Sequence, residues 1–331
     1  MSSVSLSDIT ESVQGELESF DRHFKTAMRS KIPFVDLIAR YLVRQKGKRI
    51  RPTLVLLTAR TCGTINNSTY RGAALVEILH TATLIHDDVV DDADTRRGLA
   101  SINAVWKNKV AVLMGDYLYA KGLLLSLDHN DVRFLRIISN AVRRMSEGEI
   151  HQIAKSRALD IDEKTYLRII GDKTASLFST CCEIGATSTT SDEGIIELMR
   201  KFGEDLGMAF QIRDDMLDYI GRKSITGKPK GLDLSEKKLT LPLIYSLQKA
   251  PRRQARRILS IVKNGSPTSS TSGKALTTII EFAQEFGGID YAAEKAAHFS
   301  RLAKAVLEHL PTSESKRTLL SLVDFVSQRS K

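Results

Sequence analysis

The sequence predicts an all-α fold, one domain of long antiparallel helices spanning 1–331. Apolar residues recur at helical spacing along nearly the whole chain, and strand-like alternation is scarce. Only 20 Gly and 7 Pro punctuate 331 residues, of which 42% are hydrophobic, so a large core is available and helix formers dominate. No repeat of solenoid length stands out.

The helices read off in order. From Ser68, a plausible N-cap, STYRGAALVEILHTATLIHDD places Leu75, Ile78, Leu79, Ala82 and Ile85 at helical spacing. Residues 101–127, 130–153 and 162–187 continue the pattern, and a long helix capped by Ser191 or Asp192 runs to about residue 220. TCGTINN (61–67), ATSTTSD (186–192), GRKSITGKPKG (221–231) and NGSPTSSTSGK (264–274) are loop chemistry, the last the best candidate for a mobile surface loop. Helical patterning resumes after each, so none reads as an interdomain linker. Residues 248–331 read as packing helices without a chemical motif.

The net charge of +10 points to anionic partners without choosing one. No zinc-finger spacing or RNA-binding aromatic signature supports nucleic acid, and the run RRQARR at 252–257 reads as a solvated face. Cys62, Cys181 and Cys182 lack metal-ligand spacing and read as reduced thiols. The start has no apolar core of a signal peptide, and no apolar run approaches the roughly 18–20 residues that cross a bilayer. The expectation is a cytoplasmic protein.

The acids are not distributed like a solvated face. Asp87, Asp88 and Asp91 form DDxxD at the end of an apolar helix, and Asp214, Asp215 and Asp218 repeat the spacing in QIRDDMLDY. Positions i and i+4 share a helix face, so each motif projects its carboxylates together. Carboxylates this close need a cation or a proton. Mg²⁺ takes such oxygens and keeps substrate phosphates as further ligands, so two facing clusters would hold phosphate through metal. Basic residues supply the other half: Lys48, Arg49 and Arg51 cluster at a helix start in QKGKRIRP, and Arg96 and Arg97 follow the first acid motif. Glu77 and His80 form half of a di-iron pattern, but no second copy exists, which makes an oxidase a poor reading. His80 is then a structural hydrogen-bonder or a diphosphate ligand.

With these residues assembled, the chain closely resembles the trans-isoprenyl diphosphate synthases (polyprenyl synthetases). GKRIRP, EILHTATLIHDDVVDDADTRRG, GD at 115–116, EGE at 147–149, KTASLF, FQIRDDMLDY and GKPKGLDLSEKKLTLP occur in that family's order between about residues 46 and 247. The resemblance implies the isoprenoid synthase fold, helices around a deep central cavity, and a homodimer. It implies that Lys48, Arg51, His80 and Arg97 hold the diphosphate of isopentenyl diphosphate. Arg96, Lys173, Thr174, Gln211 and Lys228, with Lys238, would serve the allylic diphosphate and its ionisation. The two aspartate motifs would bind Mg²⁺, three ions with substrate present. Lys237 stands where the family commonly has Gly, which leaves open whether Lys237 or Lys238 reaches phosphate.

The expected reaction joins isopentenyl diphosphate head to tail to an allylic primer. Thr83 and Ala82, four and five residues before Asp87, occupy positions where short-chain members often place an aromatic floor. Small residues there favour a long-chain product, with transient membrane contact to release it. The nearest alternative is a short-chain farnesyl or geranylgeranyl diphosphate synthase. A terpene cyclase would lack the Lys48, Arg51, His80 and Arg97 set, and a non-catalytic subunit would be expected to have lost aspartates.

Overall fold

Among the described residues the only sheet is a two-stranded hairpin, Thr95–Arg96 with Leu99–Ala100, and almost everything else is helix. The structure, a computed structural model, describes residues 5–45, 47–220, 238–264 and 272–328. Helices α1 (Leu6–Glu11), α2 (Gln14–Met28) and α3 (Pro33–Arg44) lead to α4 (Ile50–Cys62) and α5 (Asn67–Val90). After the hairpin come α6 (Ile102–Leu127), α7 (Val132–Ala158) and α8 (Glu163–Ile170). A π-helical turn, Gly171–Ala175, then enters α9 (Ser176–Thr187), and α10 (Glu193–Ile220) follows. The remaining helices are α11 (Leu241–Lys249), α12 (Arg252–Asn264), α13 (Ser272–Glu285), α14 (Gly288–Glu308) and α15 (Glu314–Gln328).

Helix α10 lies at the centre because it has apolar residues on several faces: Met199, Phe202, Leu206, Ile212, Met216 and Tyr219 are all buried. It packs on α9 and α14, while α4 packs on α5 and α9, α5 runs along α6, and α1 meets α15. Three apolar clusters result. The largest joins α4, α5, α9 and α10 to α15; another joins α8, α10 and α11 to α14; the third joins α3, α5 and α6. Cys62, Cys181 and Cys182 are free thiols, and burial pushes Cys181 up to about 12.

Several sequence expectations shift in detail. Helix α5 begins two residues early: Asn66, not Ser68, is its cap, accepting from the backbone N–H groups of Ser68 (2.8 Å) and Thr69 (3.2 Å). Ser68 Oγ donates instead to Asp131 Oδ1 at 2.8 Å. Asp192 rather than Ser191 caps α10, through the N–H groups of Gly194 and Ile195. The apparently continuous stretch 162–187 is broken by the π-helical turn. Helix α6 is an exception to the absence of long apolar runs, since its length and composition suffice to cross a membrane. It nevertheless packs along α5, and Asn103 is buried in it. The segment 221–231 and most of 264–274 lie outside the described residues.

Asn66 also donates from Nδ2 to the Ser188 carbonyl at 2.8 Å, tying the α5 start to the end of α9. Asn66→Ala is expected to lower stability by about 1–2 kcal/mol, read as a reduced denaturation midpoint.

Candidate active site

The first aspartate motif straddles the end of α5, with Asp91 as its C-cap. Each carboxylate has a different setting. Asp88 is buried at 3% exposure and accepts from Arg96 Nε at 2.7 Å and from Arg96 Nη2. Asp91 is exposed. Asp87 is half-buried, and its carboxyl is pushed up to about 6, by burial first and then by Glu149 and Asp91, against the opposing charges of Lys173 and Arg96. Asp87 therefore carries negative charge that its cationic neighbours only partly answer. Asp92 and Asp94 serve the chain turn: Asp92 has φ 50°, and the Asp94 carbonyl accepts from Ser101 N–H at 3.0 Å.

The turn of the hairpin is Arg97–Gly98, with φ 52° and 77°, both left-handed as a tight two-residue turn requires. This puts Arg96 and Arg97 on opposite errands. Arg96 turns to Asp88, and Arg97 Nη1 donates to the Gln45 carbonyl at 3.0 Å. The Arg97 guanidinium lies against Gly47, where an added Cβ would stand 2.7 Å from Cζ. The glycine of GKRIRP thus admits Arg97 to the start of α4. Of the three basic residues there, Arg49 is used for packing: it is the α4 N-cap and its Nη2 reaches Asp21 Oδ2 at 2.6 Å. Lys48 is exposed beside it.

Arg51 and His80 lie deeper. Arg51 Nε and His80 Nδ1 are buried atoms without a hydrogen-bond partner. Burial pushes the His80 ring well below 6.5, and the charges of Arg51, Arg97 and Arg96 add to that. His80 is accordingly neutral, able to meet an anion as an N–H donor rather than as a charge. Two orphaned polar atoms beside Arg97 are what a missing anionic partner would leave.

The second motif lies on the last turns of α10. Asp215 is buried at 6% exposure; Oδ2 accepts from Tyr166 O–H at 2.7 Å and Oδ1 from Gln211 Nε2 at 2.7 Å. Asp214 and Asp218 are half-buried on the same helix end. The π-helical turn links the two motifs. Thr174 Oγ1 donates to Gln211 Oε1 at 2.8 Å, continuing the chain to Asp215. Lys173 Nζ contacts Glu149 Oε2 at 2.5 Å and Gln152 Oε1 at 3.0 Å, and its charge is felt by Asp87. Gly148 makes this approach feasible, because a Cβ there would lie 3.1 Å from the Lys173 backbone nitrogen.

Sequence reasoning did not anticipate Tyr166, Gln152, Glu149 or the clamp on the π-helical turn. Arg144 Nε donates to Asp172 Oδ1 at 2.9 Å, and its Nη2 to Glu204 Oε1 at 3.0 Å and the Gly171 carbonyl at 3.4 Å. EGE was the one available signal, since its Gly148 marks the close approach. His86 packs against Gly115 of the GD pair, with Nε2 3.5 Å from Asp116. Lys238 is half-buried just before α11, and Lys228 and Lys237 lie outside the described residues.

Among the described residues no three His, Cys, Asp or Glu groups converge tightly enough to hold an ion alone. The donor set is nonetheless carboxylate oxygen, and Asp87 has unanswered charge; Mg²⁺ fits such a set when diphosphate oxygens complete it.

Two acid-bearing helix ends and the π-helical turn bonded to α7 and α10 thus stand as the candidate active site of an all-α protein. The sequence model of the polyprenyl synthetase family matches residues 33–279, and the chain belongs to that family. It is 33% identical over 331 residues to octaprenyl diphosphate synthase of Escherichia coli K12, covering 99% of this chain and 100% of that one. It is 36% identical over 323 residues to the geranyl-diphosphate-specific all-trans-nonaprenyl-diphosphate synthase of Rhodobacter capsulatus, covering 97% of each. The crystal structure of a Caulobacter crescentus polyprenyl synthase complexed with calcium and isoprenyl diphosphate superposes with TM-score 0.89 at 33% identity, covering 100% of both chains. The fold is the isoprenoid synthase fold, and the protein is a trans-prenyltransferase.

Arg144 touches the turn bearing Lys173 and Thr174 but neither side chain. Arg144→Gln is expected to lower kcat roughly tenfold, with the KM for the allylic substrate rising and that for isopentenyl diphosphate unchanged. Arg200→Gln, which breaks the Arg200–Glu204 and Arg200–Glu197 pairs but leaves the Arg144 contacts in place, should leave both constants near wild type in steady-state kinetics.

Proposed function

We propose that the π-helical turn and the two aspartate motifs form the ionisation site for the allylic diphosphate, and that Lys48, Arg51, His80 and Arg97 bind isopentenyl diphosphate. The observation that carries this is the π-helical turn, which pairs Lys173 with Glu149, sets its charge on Asp87 of the first motif and ties Thr174 through Gln211 to Asp215 of the second. Asp87, Asp88, Asp91, Asp214, Asp215 and Asp218 would hold Mg²⁺, three ions with substrate present. Bound Mg²⁺ would supply positive charge for the departing pyrophosphate.

The protein's own groups then divide the work. Lys173, Lys228 and Lys238 donate to the leaving diphosphate, and Arg96 shares itself between Asp88 and that group. The Thr174–Gln211–Asp215–Tyr166 chain fixes the α10 carboxylate relative to the turn, so its orientation is set before substrate arrives. Arg51, Arg97 and neutral His80 hold the second diphosphate so that its double bond meets the allylic carbon. Loss of a proton to the departed pyrophosphate completes a product one isoprene unit longer. The Lys48, Arg51, His80 and Arg97 set favours elongation over cyclisation.

Two further features bear on product and assembly. Thr83 lies one turn before Asp87 on the same side of α5 and is half-buried, whereas Ala82 is fully buried in the cluster of α3, α5 and α6. The growing tail would pass Thr83, with Ala82 acting through packing. Helix α6 exposes Val105, Val112, Leu113, Leu124 and Leu127 at 41–58%, an apolar stripe on the side not covered by α5 that suits a homodimer. The compartment proposed for the enzyme is the cytoplasm.

Asp87→Ala and Asp214→Ala are each expected to cut turnover by roughly 10²–10³-fold or more with Mg²⁺ present, measured by incorporation of labelled isopentenyl diphosphate; near-normal turnover in either would overturn the two-motif assignment. Thr83→Phe is expected to shorten the product as sized by chromatography. Ala82→Phe should instead lower stability by about 1–3 kcal/mol through overpacking.

A further inference from the structure

The positive charge of the chain is concentrated. Residues 22–49 hold nine Lys and Arg and one acid, Asp36, a net of +8 in a chain whose total is +10. Most of this segment is the end of α2, the α2–α3 corner and α3. Between the two helices lies a groove of about 620 Å³. Its floor is apolar, with Met28 and Ala39 buried at 1% and 2% exposure and Val43 beside them. Its rim is Arg22, Lys25, Arg29, Arg40 and Arg44. Arg40 is ion-paired to Asp36 at 2.5 Å; among the described residues the other four make no ion pair.

Apolar side chains stand in the middle of this cationic field. At the corner and the first turn of α3, Ile32, Phe34 and Leu37 are 59%, 50% and 55% exposed. Along α3 the outward side is therefore apolar at its start and basic at Arg40 and Arg44. Basic residues flanking exposed aromatic and aliphatic side chains have the chemistry of an interfacial anchor: cations meet lipid phosphates, and the apolar groups enter the acyl boundary.

We propose that the α2–α3 face docks on an anionic phospholipid bilayer. A second copy of the chain set face to face would bring two +8 segments together. Nucleic acid would answer the charges but leave Ile32, Phe34 and Leu37 in water. A lipid surface answers both. The purpose of such docking rests on the long-chain reading above: Met28 and Ala39 share their packed cluster with Ala82, on the helix along which the tail is proposed to run. Docking there would bring a product too apolar for water close to the phase that accepts it.

The test is flotation of the full chain with vesicles of phosphatidylcholine alone and of phosphatidylcholine mixed with phosphatidylglycerol. Wild type is expected to float with the mixed vesicles only, and to be released by high salt. Arg22→Gln/Lys25→Gln/Arg29→Gln/Arg44→Gln and Phe34→Ser/Leu37→Ser should each weaken partition roughly tenfold or more, with turnover in detergent unchanged. Absence of binding by folded wild type, or equal binding by the charge variant, overturns the proposal. So does loss of dimer by Phe34→Ser/Leu37→Ser in sedimentation with vesicle binding intact, which would give the face to a second copy. Retention on duplex DNA without vesicle binding likewise overturns it. Asp87→Ala separates the two readings: normal turnover in that variant sinks the site assignment, while its vesicle binding reports on the face alone.

Discussion

Negative charge held at the ends of two apolar helices is the constraint around which this protein is organised. Carboxylates gathered at the end of α5, and again at the end of α10, repel their neighbours, as Asp91 does Asp87, and burial makes that repulsion costlier. The fold distributes cations and donors to meet it. Arg96 returns from the hairpin to Asp88, Tyr166 and Gln211 hold Asp215, and Lys173, paired with Glu149, lends its charge to Asp87. Asp87 keeps a carboxyl raised by burial and by Glu149 and Asp91 despite Lys173 and Arg96. The hairpin, the glycines at 47 and 148 and the π-helical turn are the local geometry that delivers those partners.

The π-helical turn has the widest reach of these devices. An extra residue in Gly171–Ala175 lets Lys173 address α7 and the α5 motif while Thr174, the next residue, addresses α10. Such turns leave backbone groups imperfectly matched within the helix. Here the Gly171 carbonyl finds Arg144, and Asp172 uses its side chain on the same guanidinium. A turn that must hold adjacent residues toward two different helices is thereby fastened from a third side.

Much of this was legible in the sequence, and the exceptions have physical causes. The two DDxxD motifs, the basic start of α4 and the helices α5, α6 and α10 follow from spacing and patterning. The π-helical turn did not, because one added residue shifts the helical phase without breaking the apolar run through KTASLF. The α5 cap was misplaced because Asn66 and Ser68 are both good caps, and Asp131, far away in sequence, decided between them by taking the Ser68 hydroxyl. Ala82 and Thr83 are neighbours in sequence with similar size, yet only the neighbours of α5 determine that Ala82 is packed against α3 and α6. Arg144 was one basic residue among many until Asp172 and Glu204 were brought to it.

The pairing of Arg96 with Asp88 and of Lys173 with Glu149 has a consequence for selectivity. Two of the cations proposed for the allylic diphosphate, Arg96 and Lys173, are already engaged by carboxylates of the protein. Substrate binding is then an exchange of partners, and its net gain is a difference between two sets of contacts rather than the sum of new ones. A small monovalent anion brings too little charge to win that exchange. A diphosphate arriving with divalent ions would change both sides at once, relieving the carboxylates as it claims the cations.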